Sequence, residues 1–479
     1  MCKMFSAAVA CVALAGGAAA QSLTPLAHPA PNGAVISFLL TDGTVLVQGG
    51  NYSDWWKLTP DSAGSYVHGT WARQASLPAG YVPDAFASAV LADGRLVIMG
   101  GEYTGNKFML TDMCAVYDPL VNTWTKFAAP AGWGYIGDSP SVVLPNGKLL
   151  LGRKLDKRIA LLDPATLTWT EQRGTGKRDF NAEEGWTLLP GGRVLTYDVK
   201  SAPHSEIYVP GAQSWINAGL TGPDLASPPE SGPIPYGHGL VYTPPGEVGP
   251  AILRPDGTVF ATGGTPKGQA SGHTAIYAPP LPGHAVGTWT AGPNFPSGED
   301  AADSFAALLP NGDVIVEAES GKLYDFNGTT LLPTGLNGQA GVLMMLPTGE
   351  LLVNGTSVLR AAGAPNPAWA PVIQTVPSVL ARGHSYAASG TQFNGLSQAA
   401  AFGDEEQTAT NYPLVRITNT ATGHVVYART HGHSTMGVAT GALRVSTQFD
   451  VPAGAEIGAG TLVVVANGIA SAGVGVVVQ

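Results

Sequence analysis

The sequence predicts an all-β protein, a seven-bladed β-propeller followed by a smaller β-sandwich. Three observations carry this. An apolar run, a tight turn and a second apolar run recur seven times, most clearly at residues 85–101, AFASAVLADGRLVIMGG. The turns are Asp42-Gly43, Asp93-Gly94, Asn146-Gly147, Gly191-Gly192, Asp256-Gly257, Asn311-Gly312 and Thr348-Gly349, spaced 37 to 65 residues apart. From about residue 371 onward the repeat stops, but strand-like runs continue.

Each repeat is justified piece by piece. Asx-Gly between apolar runs is the strongest short hairpin signal, and a two-residue type I′ turn is the expected geometry because it needs positive φ at both central positions. The flanking Val, Leu and Ile runs are too short for helices. A third strand ends in an aromatic or Asp-Pro signal, as in AVYDP at 115–119 and ALLDP at 160–164. A fourth carries a tryptophan: Trp71, Trp124, Trp169, Trp215, Trp289 and Trp369. Four strands at a period near 50 residues, with Gly-Gly after the second strand at 49–50, 100–101 and 263–264, are the kelch form of a propeller blade. The alternative is a sandwich with coincidental hairpins, which seven in-phase copies argue against.

In chain order, residues 1–20 read as a cleavable secretory signal: Lys3, an apolar stretch, then Ala18-Ala19-Ala20. Residues 22–27 offer a strand that closes the ring with the last blade. Blades 1 to 7 are expected at about 34–78, 81–130, 135–172, 183–220, 238–296, 300–333 and 341–371. Long Pro/Gly stretches at 222–239 and 243–250 surround the start of the fifth, and loops of this length are usually functional or disordered. The domains are thus 1–20 signal, 21–371 propeller and 372–479 sandwich, the last immunoglobulin-like in strand count and size.

Composition narrows the function. Lys and Arg number 24 against 34 Asp and Glu, so the chain is acidic and nucleic acid is excluded as a partner. No apolar run is long enough to span a membrane, so a secreted or periplasmic monomer acting on a carbohydrate or other small molecule is expected. Removal of Cys2 and Cys11 with the signal leaves Cys114 alone, unable to form an internal disulfide.

Two charged features fall on one face. Asp84, Asp138, Glu184 and Asp303 precede their turns by seven to nine residues, with Glu183 and Asp300 beside two of them. They form either a carboxylate ring at the channel mouth, able to bind a cation or do acid/base work, or a solvated rim. Arg153, Lys154, Lys157, Arg158, Arg173, Lys177 and Arg178 crowd into 26 residues. Of these, Lys154, Arg158, Arg173 and Arg178 are candidates for an anion subsite, such as one for a uronate, with surface ion pairing as the alternative. Tyr135 and Tyr236 offer faces for sugar rings. His238 is the best general-base candidate, because its ordinary pKa lies near neutrality. His431 and His433, at i and i+2, project to one side of a strand and are candidate metal ligands.

A secreted kelch propeller followed by a terminal early-set sandwich resembles galactose oxidase and the glyoxal-oxidase-like proteins over nearly the whole chain. The segment 411–441, NYPLVRITNTATGHVVYARTHGHSTMGVATG, resembles the part of that family whose loop reaches the propeller axis and delivers a copper-ligand histidine. By position His433 is the match, with His431 as its neighbour. The rest of the copper-radical pattern does not carry over: Cys114 lies in a third strand, and no Tyr-His pair occurs. The first reading is therefore a carbohydrate-binding propeller that cleaves its ligand with His238, Glu184, Asp138 and Asp303, without a copper-radical centre. The others are a copper-dependent oxidase of alcohols or aldehydes using His433, and a non-catalytic binding or scaffold propeller.

Overall fold

The turns set the architecture. In the computed structural model, which describes residues 21–339 and 341–479, all seven hairpins close the same way. At the second, Gly94 donates to the Leu91 carbonyl at 2.9 Å and Leu91 donates to the Arg95 carbonyl at 2.8 Å. Only the glycine of Asp93-Gly94 has positive φ, +85°. This is a three-residue loop ending in a left-handed residue, not the expected type I′ turn. The Asx residue is used differently from that expectation: Asp93 Oδ1 accepts from the Arg95 amide at 3.0 Å, and Asp42, Asn146, Asp256 and Asn311 do the same for the amide two residues on.

The fold is an all-β propeller. Six four-stranded antiparallel sheets and one five-stranded sheet follow one another along the chain. Their innermost strands are Ser37–Leu39, Ala87–Val90, Ser141–Val143, Thr187–Leu188, Val248–Leu253, Ala306–Leu308 and Leu343–Met345. The first and last lie side by side and complete the circuit. These strands and their immediate partners are almost wholly buried, whereas the outermost strands alternate between exposed and half-buried positions.

Closure uses the N-terminal strand as the sequence suggests: Ser22–Pro25 pairs antiparallel with Ser357–Arg360 as the outer strand of blade 7. Trp369 is accordingly not in a fourth strand. It lies in a short 3-10 turn, Pro367–Trp369, and its ring covers Gly312 of the neighbouring hairpin. Blade 5 begins at Val248, not at 238. The preceding Pro-rich stretch forms its own hairpin, Ile234–Gly237 with Leu240–Tyr242. The candidate signal sequence lies outside the described residues. No helix among those described is long and apolar enough to cross a membrane.

The remaining strands, Val372–Thr375 through Val474–Val478, form a separate set of pairings with its own core around Val415, Ala428, Phe449, Leu462 and Val464. This set packs on the hairpin-turn face of the propeller. The Thr430 amide donates to Thr41 at 3.0 Å, Gly432 to Ala92 at 2.8 Å and Met436 to Pro145 at 3.0 Å.

Between Ser385–Thr391 and Leu414–Asn419 the chain leaves this set and threads the propeller axis. Ala400–Ala401 adds a strand to the inner edge of Ala306–Leu308. Gln398 Oε1 accepts from the Leu188 amide at 2.8 Å, Ser88 Oγ donates to the Gln407 carbonyl at 3.3 Å, and Tyr412 donates its hydroxyl to the Leu39 carbonyl. Inner strands of blades 1, 2, 4 and 6 thus grip one segment.

Candidate functional site

Within this segment stands an acidic run, Asp404-Glu405-Glu406, with all three side chains buried. Blade residues meet it from around the axis. Asp138 leads into blade 3, Glu183 into blade 4 and Glu247 into blade 5, while Glu102 follows the second strand of blade 2. Three groups have one oxygen per residue within 4.8 Å of one another: Glu102, Asp138 and Glu183; Asp138, Asp404 and Glu405; Glu183, Glu247 and Asp404. They share members, so six carboxylates form one continuous cluster.

One cation is present among them. Lys154 Nζ lies 3.0 Å from Glu102 and 2.7 Å from Glu183, and it also pairs closely with Asp138. Its side chain is fully buried. Burial works against its charge, but Asp138, Glu183 and Glu102 outweigh that and hold the ammonium well above its ordinary pKa. The carboxyls go the other way. Burial pushes Asp138, Asp404, Glu405, Glu406 and Glu247 up, and neighbouring acids push further. Two buried oxygens, Asp138 Oδ1 and Asp404 Oδ1, have no hydrogen-bond partner among the described residues.

Asp303 is the acid of this group that stays exposed. It keeps solvent contact while protein surrounds it, and this crowding, with Glu183 adding to it, pushes its carboxyl up to about 7. Its backbone is left-handed, φ +45°, as is that of Glu183 at +55°. Such strained positions gather at functional sites.

The expected residues therefore separate. Asp138 and Asp303 belong to the axial group. Glu184 does not: it turns into blade 4, where both its oxygens accept from Lys177 at 2.8 and 2.9 Å. Lys177 also reaches Glu206 at 2.7 Å. The left-handed turn at Glu183 sends the two adjacent glutamates in different directions. His238 lies in the insertion hairpin, its Nε2 2.8 Å from the Leu110 carbonyl, and it makes no ion pair among the described residues.

The anion subsite is not assembled. Lys154 is buried among carboxylates, and Arg158 faces Asp156 and Glu171 at 4.0 and 3.9 Å. Arg173 and Arg178 are exposed. Tyr135 is buried with the Arg153 guanidinium 3.9 Å from its ring centre, and Tyr236 is buried under the roof with Lys154 Nζ 5.7 Å from its ring. Neither ring is free for a sugar. That roof is the insertion hairpin, which crosses from blade 4 to the blade 2 loop, where Phe108 meets Tyr236 at 4.4 Å. Beside it a cleft of about 600 Å³ opens, lined by Lys200, Asp224, Pro228, Tyr242, Thr243 and Lys267.

His431 and His433 do not reach the axis. His431 Nε2 lies 3.0 Å from Asp450, and His433 Nδ1 lies 2.9 Å from Thr447 Oγ1, beneath the turns of blades 2 and 3. The segment that enters the channel is 402–408 instead. Copper(II) favours imidazole in tetragonal sites, and the axial donors are all carboxylate oxygens, so the residues present do not fit a copper centre. Cys114 is buried between Met99 and Phe127, its thiol pushed up mainly by burial. The sequence signal for Asp404-Glu405-Glu406 was a run of three acids in a chain only 12% charged. Glu102 and Glu247 had no such signal.

No family model matches the chain, and no curated protein matches it. Among solved structures, it is similar to a fungal alcohol oxidase of the AA5 family, solved in complex with copper, at 13% identity and a TM-score of 0.49, covering 97% of this chain and 99% of that one. It is also similar to virginiamycin B lyase from Staphylococcus aureus, at 10% identity and a TM-score of 0.46, covering 71% of this chain and 99% of that one. At these identities no residue's role transfers from either.

Proposed function

We propose that the protein binds a neutral, hydroxyl-rich carbohydrate beside Asp303 and in the adjoining cleft, and hydrolyses it without a copper-radical centre: Asp303 gives its proton to the glycosidic oxygen as that C–O bond breaks, water adds to the anomeric carbon, and the proton that water loses returns to Asp303. The observation that carries this is Asp303 itself, an exposed carboxyl near pKa 7 at the edge of a roofed acidic cluster. A general acid works best with its pKa near the working pH. Around Asp303 the acidic cluster favours neutral hydroxyls over an anionic group, while Lys200 and Lys267 place basic charge in the cleft beyond it. The uronate preference expected from the basic residues is therefore replaced by a neutral one.

The chain divisions belong to the same proposal: a propeller at 21–371 and an early-set, immunoglobulin-like sandwich at 372–479, exported by residues 1–20 and acting as a monomer. Support for the division comes from the separate core of the terminal strands. N-terminal sequencing of the exported protein tests the export step.

The test of function pairs oligosaccharide binding by calorimetry with a reducing-end assay. Binding of neutral oligosaccharides, with cleavage lost and binding kept in Asp303→Asn, is the expected result. A preference for uronates, or undiminished cleavage by the variant, would overturn it. Binding without any cleavage would mark a pure binding protein.

A further inference from the structure

The axial cluster carries more negative charge than its own residues can balance. Six carboxylates face one ammonium, and Lys154 Nζ is committed to Glu102, Asp138 and Glu183. That leaves Asp404, Glu405 and Glu247 without a cation among the described residues, each within 4.8 Å of Asp138 or Glu183. Burying charge without a partner is expensive, so such a site must take up protons or a metal ion.

The unpartnered oxygens favour an ion. Asp138 is 3% exposed and Asp404 is 2% exposed, yet Oδ1 of each accepts no hydrogen bond from the described residues. Both residues belong to the group whose oxygens lie within 4.8 Å. Asp404 is also the member common to the second and third groups, and Lys154 makes no ion pair with it. We infer that a hard divalent cation of the calcium class binds at Asp404, held by Asp138 and Glu405 on one side and by Glu183 and Glu247 on the other.

Oxygen-only donors select a hard ion. Calcium takes six to eight oxygens in flexible geometry and accepts several carboxylates, mono- or bidentate. Magnesium keeps most of its water and usually takes only one or two carboxylates. The donors come from blades 3, 4 and 5 and from the axial segment. The ion therefore ties the terminal strand set to the propeller from inside the channel, a second tie besides the main chain. This inference is independent of any carbohydrate.

The test uses the full mature chain, stripped with chelator and titrated with calcium chloride alone at neutral pH. Calorimetry and thermal unfolding are read together. The expected result is stoichiometric calcium uptake with a calcium-dependent rise in Tm. Asp404→Asn should weaken Kd by roughly 10- to 100-fold or more, since even outer-shell changes at metal sites cost that much. Glu247→Gln, at the half-exposed edge of the cluster, serves as a second variant should Asp404→Asn fail to fold, with a weaker Kd again expected. No uptake at millimolar calcium, uptake unchanged in the variants that fold, or equal uptake of magnesium would overturn the inference. Because no sugar is present, failure here leaves the carbohydrate reading standing, and failure of sugar binding leaves this one standing.

Discussion

Lys154 Nζ lies 2.7 Å from Glu183 Oε1, joining the turn after the second strand of blade 3 to the entry of blade 4 across the channel wall. The ammonium replaces water for three carboxylates at once, and its position explains why a basic segment of the sequence ends in an acidic site.

Removing that ammonium should unfold the protein more easily. Breaking a buried ion pair from one side costs about 3–5 kcal/mol, because the remaining charge is left without a partner. Lys154→Met is expected to lower stability by that order in equilibrium urea unfolding at pH 7. A loss under about 1 kcal/mol, the range of surface pairs, would show that the cluster is hydrated and not sealed.

The axial segment is held by close backbone approach. A Cβ at Gly185 would overlap the Gly403 carbonyl oxygen, and neither backbone can swing away as a side chain could. Gly185→Ala should therefore cost about 1–3 kcal/mol through overpacking. Limited proteolysis should cut the variant faster near residues 402–408 than the parent. Unchanged cleavage would mean that the segment seats elsewhere.

His433 predicts an acid limb. Burial lowers its pKa from 6.5 to about 3, with His431 and Arg429 adding to the effect. The unfolded chain then binds more protons than the folded one between those values. Its contribution to stability is present above pH 6.5 and is lost as pH falls toward 3, with a slope of about 1.4 kcal/mol per pH unit from this group. His433→Gln should flatten stability over that interval in urea unfolding at a series of pH values. A parallel loss in variant and parent would assign the acid limb to other groups.

Local signals were legible in the sequence because they act over a few residues. The seven turns announce themselves through glycine, which alone takes the left-handed position without strain, and five of them also through the Asx side chain that caps the amide two residues on. Five of the six tryptophans expected in fourth strands are there. The recurrence of Asp84, Asp138, Glu184 and Asp303 just ahead of inner strands is seen in the backbone, since a repeated backbone places repeated residues alike, although the Glu184 side chain turns away from the axis.

What failed was set by burial and by partners distant in the chain. Lys154 and Lys177 looked like surface cations because a sequence does not display the carboxylates that enclose them. Glu183 and Glu184 are neighbours with opposite fates, decided by one φ of +55°. Asp404-Glu405-Glu406 come to the axis from more than 150 residues beyond Trp215 of blade 4.

The sequence by itself determined the all-β repeat, its turn positions and the strand that closes the ring, because hairpins form from contiguous residues. Only the tertiary structure decided that the channel is filled from the terminal strand set by 402–408 and not by His433, and that its chemistry is carboxylate oxygen. Those outcomes depend on which side chains lose water together, and that is a property of the packed molecule, not of any stretch of chain.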